Sequence, residues 1–284
     1  MATTSQELTV GLPRRGPIGA VVGTIGDLVR RRRLVWYLAA ASARANGGNS
    51  LLGNLWWFID PAIQLGIYYL LVAVIFQKSQ PAYILFLACA IIPWKWFTTA
   101  IAGATNSVRA REAVLRQISF PQIVLPMAEV LAETGSFLFA LVPLGALYLV
   151  YPDRLTPWVL ALPAVAFVQL LWTMPIAILL AALNVFLRDI GLFTTHALRI
   201  WFYASPALFT IELLRRGGEK YPIFGAWVDL NPFTWIFGGY RDLLYYGRAP
   251  DWASLALCGL ASVPVTLVAL YAFKRMSPSF VKVL

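Results

Sequence analysis

Charged side chains make up only 13% of these 284 residues, so those standing inside apolar runs are the first places to look for chemistry. Glu129 and Glu133 lie four apart, on one face of a helix, within the apolar stretch 120–150. A carboxylate at the middle of a bilayer is costly. Such a pair either lines a hydrophilic path, meets a side chain across a dimer interface, or lies near enough to the cytoplasmic surface to be wet. Asp60 and Lys95 stand near the ends of two other apolar runs, and Asp60 followed by Pro61 starts or kinks a helix as readily as it touches a substrate. His196 has no cysteine, second histidine or carboxylate at metal-ligand spacing, and Cys89 and Cys258 fall inside apolar runs, where buried thiols are the simplest reading. No phosphate-binding glycine loop, dinucleotide fingerprint or nucleophile elbow is present. No catalytic residue, metal or cofactor is therefore expected in this chain, and energy for any transport must come from elsewhere.

Aromatic rings are the second resource, with 11 Trp, 12 Tyr and 17 Phe, many at the ends of apolar runs where rings form interfacial belts. Trp56, Tyr68, Tyr69, Trp201 and Tyr203 are the set that could instead line a channel, because a ring face offers a broad apolar contact without a deep minimum. Tyr68 and Tyr69 are neighbours on one helix and point about 100° apart, so only one of them faces inward. The arginines offer a third kind of chemistry. Arg30, Arg31, Arg32, Arg33 and Arg44 could hold an anionic headgroup through bidentate, charge-assisted contacts. Between two apolar runs, the segment with Arg109, Arg111, Glu112, Val114, Leu115, Arg116 and Ile118 reads as a short surface helix. Its apolar members are three and four residues apart, and its arginines are free to meet water or a partner.

These residues must be positioned by membrane helices. The chain is 60% hydrophobic with a mean hydropathy of +0.70, which leaves too little polarity to cover a water-facing surface. Residues 160–186 and 255–273 are apolar on every face, which excludes the alternating pattern of a transmembrane barrel. The expected architecture is an all-α integral membrane protein. A flexible tail at 1–25 is followed by an amphipathic interface helix at 26–45 and by six spans at about 52–76, 83–108, 120–150, 158–186, 190–211 and 252–273. The surface helix occupies 109–118, and the semipolar region 213–250 enters the membrane and returns. With both termini cytoplasmic, fourteen of the 23 basic residues fall on cytoplasmic segments, as the positive-inside rule requires. That accounts for the net charge of +10, and with no basic soluble module a nucleic-acid partner is excluded.

Six segments occur in an order that resembles one family. They are Leu51 to Trp57 with Asp60-Pro61, Ile92 to Phe97, Ile118 to Pro121 with Leu125-Pro126, Phe186 to Asp189, Tyr203 to Pro206, and Asn231-Pro232 with Tyr240-Arg241. Together, across roughly 30–273, they resemble the membrane subunit of ABC-2 type exporters, and within it the permeases for lipid-linked polysaccharides such as O-antigen or teichoic-acid precursors. The chain departs from the family in having Ala90 or Ile91 where a glycine often stands. The resemblance implies a homodimer in the bacterial cytoplasmic (inner) membrane, each copy bound to a separate nucleotide-binding subunit that holds ATP and Mg. It also implies that 109–118 is the coupling helix seated on that subunit and that the region before the last span is re-entrant. Two other readings remain at this point: the same architecture moving a small amphiphile or drug, and a membrane enzyme acting on a lipid.

Overall fold

The computed structural model describes residues 26, 30–48, 55–71, 81–117 and 120–283. The expected tail, both edges of the first span (Leu51 to Asn54 and 72–80) and Ile118 lie outside the described residues. Among those described, every regular element is helical. In chain order these are α1 (Arg32–Gly48), α2 (Trp56–Tyr69), α3 (Tyr83–Ser107), α4 (Glu112–Gln117), α5 (Val124–Val150), α6 (Leu162–Phe186), α7 (Ile190–Tyr203), α8 (Ile211–Lys220), α9 (Pro222–Leu230), α10 (Pro232–Leu244), α11 (Trp252–Met276) and α12 (Phe280–Val283). A 3₁₀ turn, Arg109–Arg111, precedes α4, and another, Pro157–Ala161, leads into α6.

Four of these helices, α3, α5, α6 with its lead-in turn, and α11, are long and apolar enough to cross a membrane. At 1.5 Å per residue their 25 to 27 residues span roughly 37–41 Å, more than the ~30 Å of hydrocarbon. This is a multi-pass, all-α membrane protein. α3 is the hub: 78% of its apolar window is buried, against 28–39% for the other three. It packs against α2, α5, α6, α7 and α10, while α11 covers α6 and α1 runs along α5. That hierarchy explains why α3 carries small and apolar residues on almost every face, from Leu85 through Ile92.

Prolines stand inside α2, α3, α5, α6 and α11, at Pro61, Pro93, Pro143, Pro175 and Pro264. Each lacks an amide hydrogen and leaves a carbonyl one turn earlier without its helical donor, which neighbouring groups or a local bend must accommodate. Near Pro93, the buried Gln169 of α6 donates to the Pro93 carbonyl at 2.8 Å, tying the two helices where α3 is weakest.

The expected fifth span differs from the structure in its extent. The run 190–211 is helical only to Tyr203, after which the chain turns through Ala204 to Thr210 and restarts as α8. Pro206 removes a backbone donor, and the Ser205 hydroxyl donates to the Trp201 carbonyl at 2.7 Å, closing the helix end. α7, α8, α9 and α10 have 14, 10, 9 and 13 residues, roughly 14–21 Å each, and none alone reaches across the hydrocarbon.

The start of α11 is set by Asp251, whose side chain accepts from the amides of Ala253 and Ser254. The Ser254 hydroxyl donates at 2.6 Å and, with these amides, holds the carboxyl below the usual carboxylate range. Just before it, Gly247 sits at φ +65°, where a Cβ would lie 2.8 Å from Thr156 Cγ2, so this turn admits only glycine without rearrangement.

Candidate functional site

Four helices present a polar face to one groove. On α2 the residues Trp56, Asp60, Gln64 and Tyr68 recur every four positions, which places them in one row. α3 contributes Lys95, Thr98, Thr99 and Ala102, α5 contributes Glu133, Ser136 and Ala140, and α7 contributes Thr195, Arg199 and Tyr203. Lys95 Nζ donates to Asp60 Oδ2 at 3.0 Å, and this pair joins α2 to α3 across the groove. It divides the space into two clefts that share Lys95 and Thr99. One, of about 310 Å³, lies toward α5 and holds Trp56, Asp60, Trp96, Glu133 and Ser136. The other, of about 370 Å³, lies toward α7 and holds Gln64, Tyr68, Arg199 and Tyr203.

Depth makes these charges informative. Lys95 is twelve residues along α3 from Tyr83, roughly 18 Å, and Arg199 is nine along α7 from Ile190, roughly 14 Å. Lys95 thus stands near the middle of α3 and not near its end as expected, and Arg199 stands within the last two turns of α7. The Asp60 and Lys95 side chains are nonetheless 50% and 37% exposed in the single chain, a state that lipid does not tolerate and water or a second protein surface does.

The structure sorts the candidate aromatics. The Tyr68 hydroxyl lies 3.5 Å from that of Tyr203, its ring packs on Phe202, and both tyrosines line the groove. Tyr69 points away and is exposed. Trp56 lines the α5-side cleft. Trp201 instead sits in a cluster with Trp94, Phe97 and Phe233 and donates its indole N–H to Asn231 Oδ1 at 3.0 Å, so it works as a packing residue. The side chain of Asn231 also accepts from the Phe233 amide and donates to Ser205 Oγ at 2.7 Å. Two of the motif segments quoted from the sequence, the one with Ser205 and the one that holds Asn231 and Arg241, thus meet in one place. Arg241 is buried, donates to the Ala207 carbonyl at 2.7 Å and lies 3.7 Å above the Phe86 ring. Together these contacts fasten the α8–α10 segment to α3 and α7.

The two glutamates go to different places. Glu133 lines the groove. Glu129 lies one turn nearer the start of α5, where Oε1 accepts from Arg111 Nη1 at 2.9 Å and from Ser42 Oγ at 2.9 Å, while Arg111 Nη2 donates to Ser42 Oγ at 2.8 Å. This triad links α1, the 3₁₀ turn and α5. The surface helix α4 is anchored by buried Leu115, in a cluster with Val108, Val185 and Phe280, and turns Val114 and Arg116 outward. Arg116 pairs with Glu112 one turn back. Arg109 is partly exposed, Arg30, Arg31, Arg32 and Arg33 are exposed at the start of α1, and Arg44 donates to the Ala40 carbonyl on its own helix. Among the described residues no group of three His, Cys, Asp or Glu side chains could hold a metal.

Sequence reading passed over Gln64, Thr98, Thr99, Ser136 and Arg199. The four-residue period of Trp56, Asp60, Gln64 and Tyr68, and of Thr195, Arg199 and Tyr203, was the signal that could have found most of them.

No family model matches the chain. It is 28% identical over 248 residues to the O-antigen export system permease protein RfbA of Myxococcus xanthus, covering 87% of this chain and 93% of that protein. Two proteins of Klebsiella pneumoniae with the same description are each 26% identical, over 240 and 238 residues, covering 83% of this chain and 89% of each. Along most of its length, then, the chain is similar to O-antigen export permeases, and the resemblance to ABC-2 polysaccharide exporters that its motifs carried is borne out.

Proposed function

We propose that two copies of this chain form the membrane path of an ATP-driven exporter for a lipid-linked polysaccharide of the cell envelope, with two separate ATPase subunits binding ATP and Mg. The observation that carries this reading is the row of charged and aromatic side chains along an open groove between apolar helices. A second copy facing the groove would enclose it as a wet path and remove Asp60, Lys95 and Arg199 from lipid. Names and coverage of the similar permeases support the substrate class.

In this reading the chain sits in the bacterial cytoplasmic membrane with both termini inside. α2 and α7, with their flanking residues, complete six spans. α8, α9 and α10 enter from the external side and return, α1 lies at the cytoplasmic surface, and α4 is the coupling helix. Depletion of the protein in its native cell tests the function. Lipid-linked glycan should accumulate on the cytoplasmic side of the membrane. Unchanged glycan with new sensitivity to amphiphilic drugs would instead assign a small-molecule exporter.

A further inference from the structure

The two clefts differ in the chemistry of their walls. The α5-side cleft holds two carboxylates, Asp60 and Glu133, beside the rings of Trp56 and Trp96, a set suited to sugar hydroxyls and apolar sugar faces and hostile to an anion. The α7-side cleft has no carboxylate among the residues that line it. Thr98 and Thr99 give their hydroxyl protons to carbonyls on α3, and Thr195 gives its own to the Gly191 carbonyl. The strong donors beside these are the Arg199 guanidinium, the Lys95 ammonium, which Asp60 also engages, the Gln64 amide and the phenols of Tyr68 and Tyr203, whose 3.5 Å contact with each other an anion would replace. A guanidinium offers paired N–H groups at the spacing of phosphate oxygens, and its attraction for an anion is stronger in this poorly screened setting than in water.

We propose that the α7-side cleft is a transient site for a phosphate-class oxyanion, with Arg199 as its cationic ligand and Tyr68 and Tyr203 as hydrogen-bond donors. Resting on the export reading above, the group held is the diphosphate that joins a glycan to its lipid. Lys95 also lines this cleft but is paired with Asp60, which leaves Arg199 as the second cation among neutral donors and suits passage, because a site on a path must release what it binds. The Lys95–Asp60 pair then separates an anion-holding side from a sugar-holding side of one groove.

Equilibrium binding to the purified full-length dimer in lipid nanodiscs tests this, with farnesyl diphosphate, farnesol and inorganic pyrophosphate as probes. Farnesyl diphosphate should bind at least about tenfold more tightly than farnesol, and Arg199→Gln should remove about that factor while Arg199→Lys keeps most of it. Competition by inorganic pyrophosphate would place recognition in the diphosphate alone. Arg199-dependent binding of the farnesyl form without such competition would make the lipid headgroup the source, and both outcomes support the site. Equal affinity for farnesol, or unchanged binding in Arg199→Gln, overturns it. Should Arg199→Gln lose the dimer on gel filtration, Arg199 belongs to protomer packing and the site is likewise overturned. Should that variant fail to fold, the pair Tyr68→Phe with Tyr203→Phe must weaken farnesyl diphosphate binding severalfold, and unchanged binding there overturns the proposal. Glycan export is measured on the same variants: normal export by a variant that no longer binds the diphosphate removes the subsite and leaves the export function standing.

Discussion

Arg111 and Arg116 are five positions apart, yet one turns inward and the other outward. Arg111 closes a partly buried triad with Glu129 and Ser42, whereas Arg116 is exposed and pairs with Glu112 one turn back. Arg111→Ala leaves a mostly buried carboxylate without its cation, at a cost of about 1–3 kcal/mol, and should lower the apparent Tm of the purified protein by several degrees. Arg116→Ala should leave Tm unchanged and weaken co-purification with the ATPase or its coupling to transport; a variant that assembles and exports normally would remove α4 from that role. The tyrosine pair divides in the same way. Tyr68→Leu should reduce glycan export at matched expression, and Tyr69→Leu should not, because only Tyr68 reaches the groove. Residue identities were readable from the sequence, but their partners were not. Asp60 and Lys95 are 35 positions apart on different helices, and nothing in either local pattern states the angle at which α2 meets α3.

The helices that could be placed from sequence are those for which the bilayer demands a long apolar run: α3, α5, α6 and α11 begin and end within a few residues of the hydropathy boundaries. The run 190–211 misled because hydropathy is blind to Pro206 and to a serine that closes a helix end, so an apolar turn looked like continuing helix. α11 has a sharper boundary. Its cap at Asp251 is a charged acceptor of two amides and one hydroxyl, and its folded-state pKa is depressed. The stability it adds is therefore present above the unfolded carboxylate range, near pH 4, and is lost as pH falls through the lower folded value. Asp251→Ala should lower Tm at pH 7, and the gap to wild type should narrow when both are measured below pH 4. A gap of equal size at both pH values would mean that the carboxylate charge adds nothing to the cap.

At the scale of the whole molecule, the arrangement predicts sidedness. Single cysteines at Arg111 and Arg188 should react with an impermeant thiol reagent only after the cell is opened, and a cysteine at Asp153 should react in intact cells. Labelling of position 111 from outside would reverse the orientation. The Lys95–Asp60 pair carries a further consequence, for the electrical tightness of the membrane. A path wide enough for a glycan is wide enough for hydrated ions, and each elementary charge that leaks across 100 mV dissipates about 2.3 kcal/mol. A cation and a carboxylate joined across the groove at 3.0 Å put both signs of fixed charge at its waist, so neither small cations nor small anions meet a uniformly favourable wall. Lys95→Ala, which leaves only the carboxylate, should raise cation conductance in planar bilayers containing the resting dimer, and Asp60→Ala should raise anion conductance instead. The cost of a failed seal would then appear in the cell as a lowered membrane potential and slower growth, even while export continues.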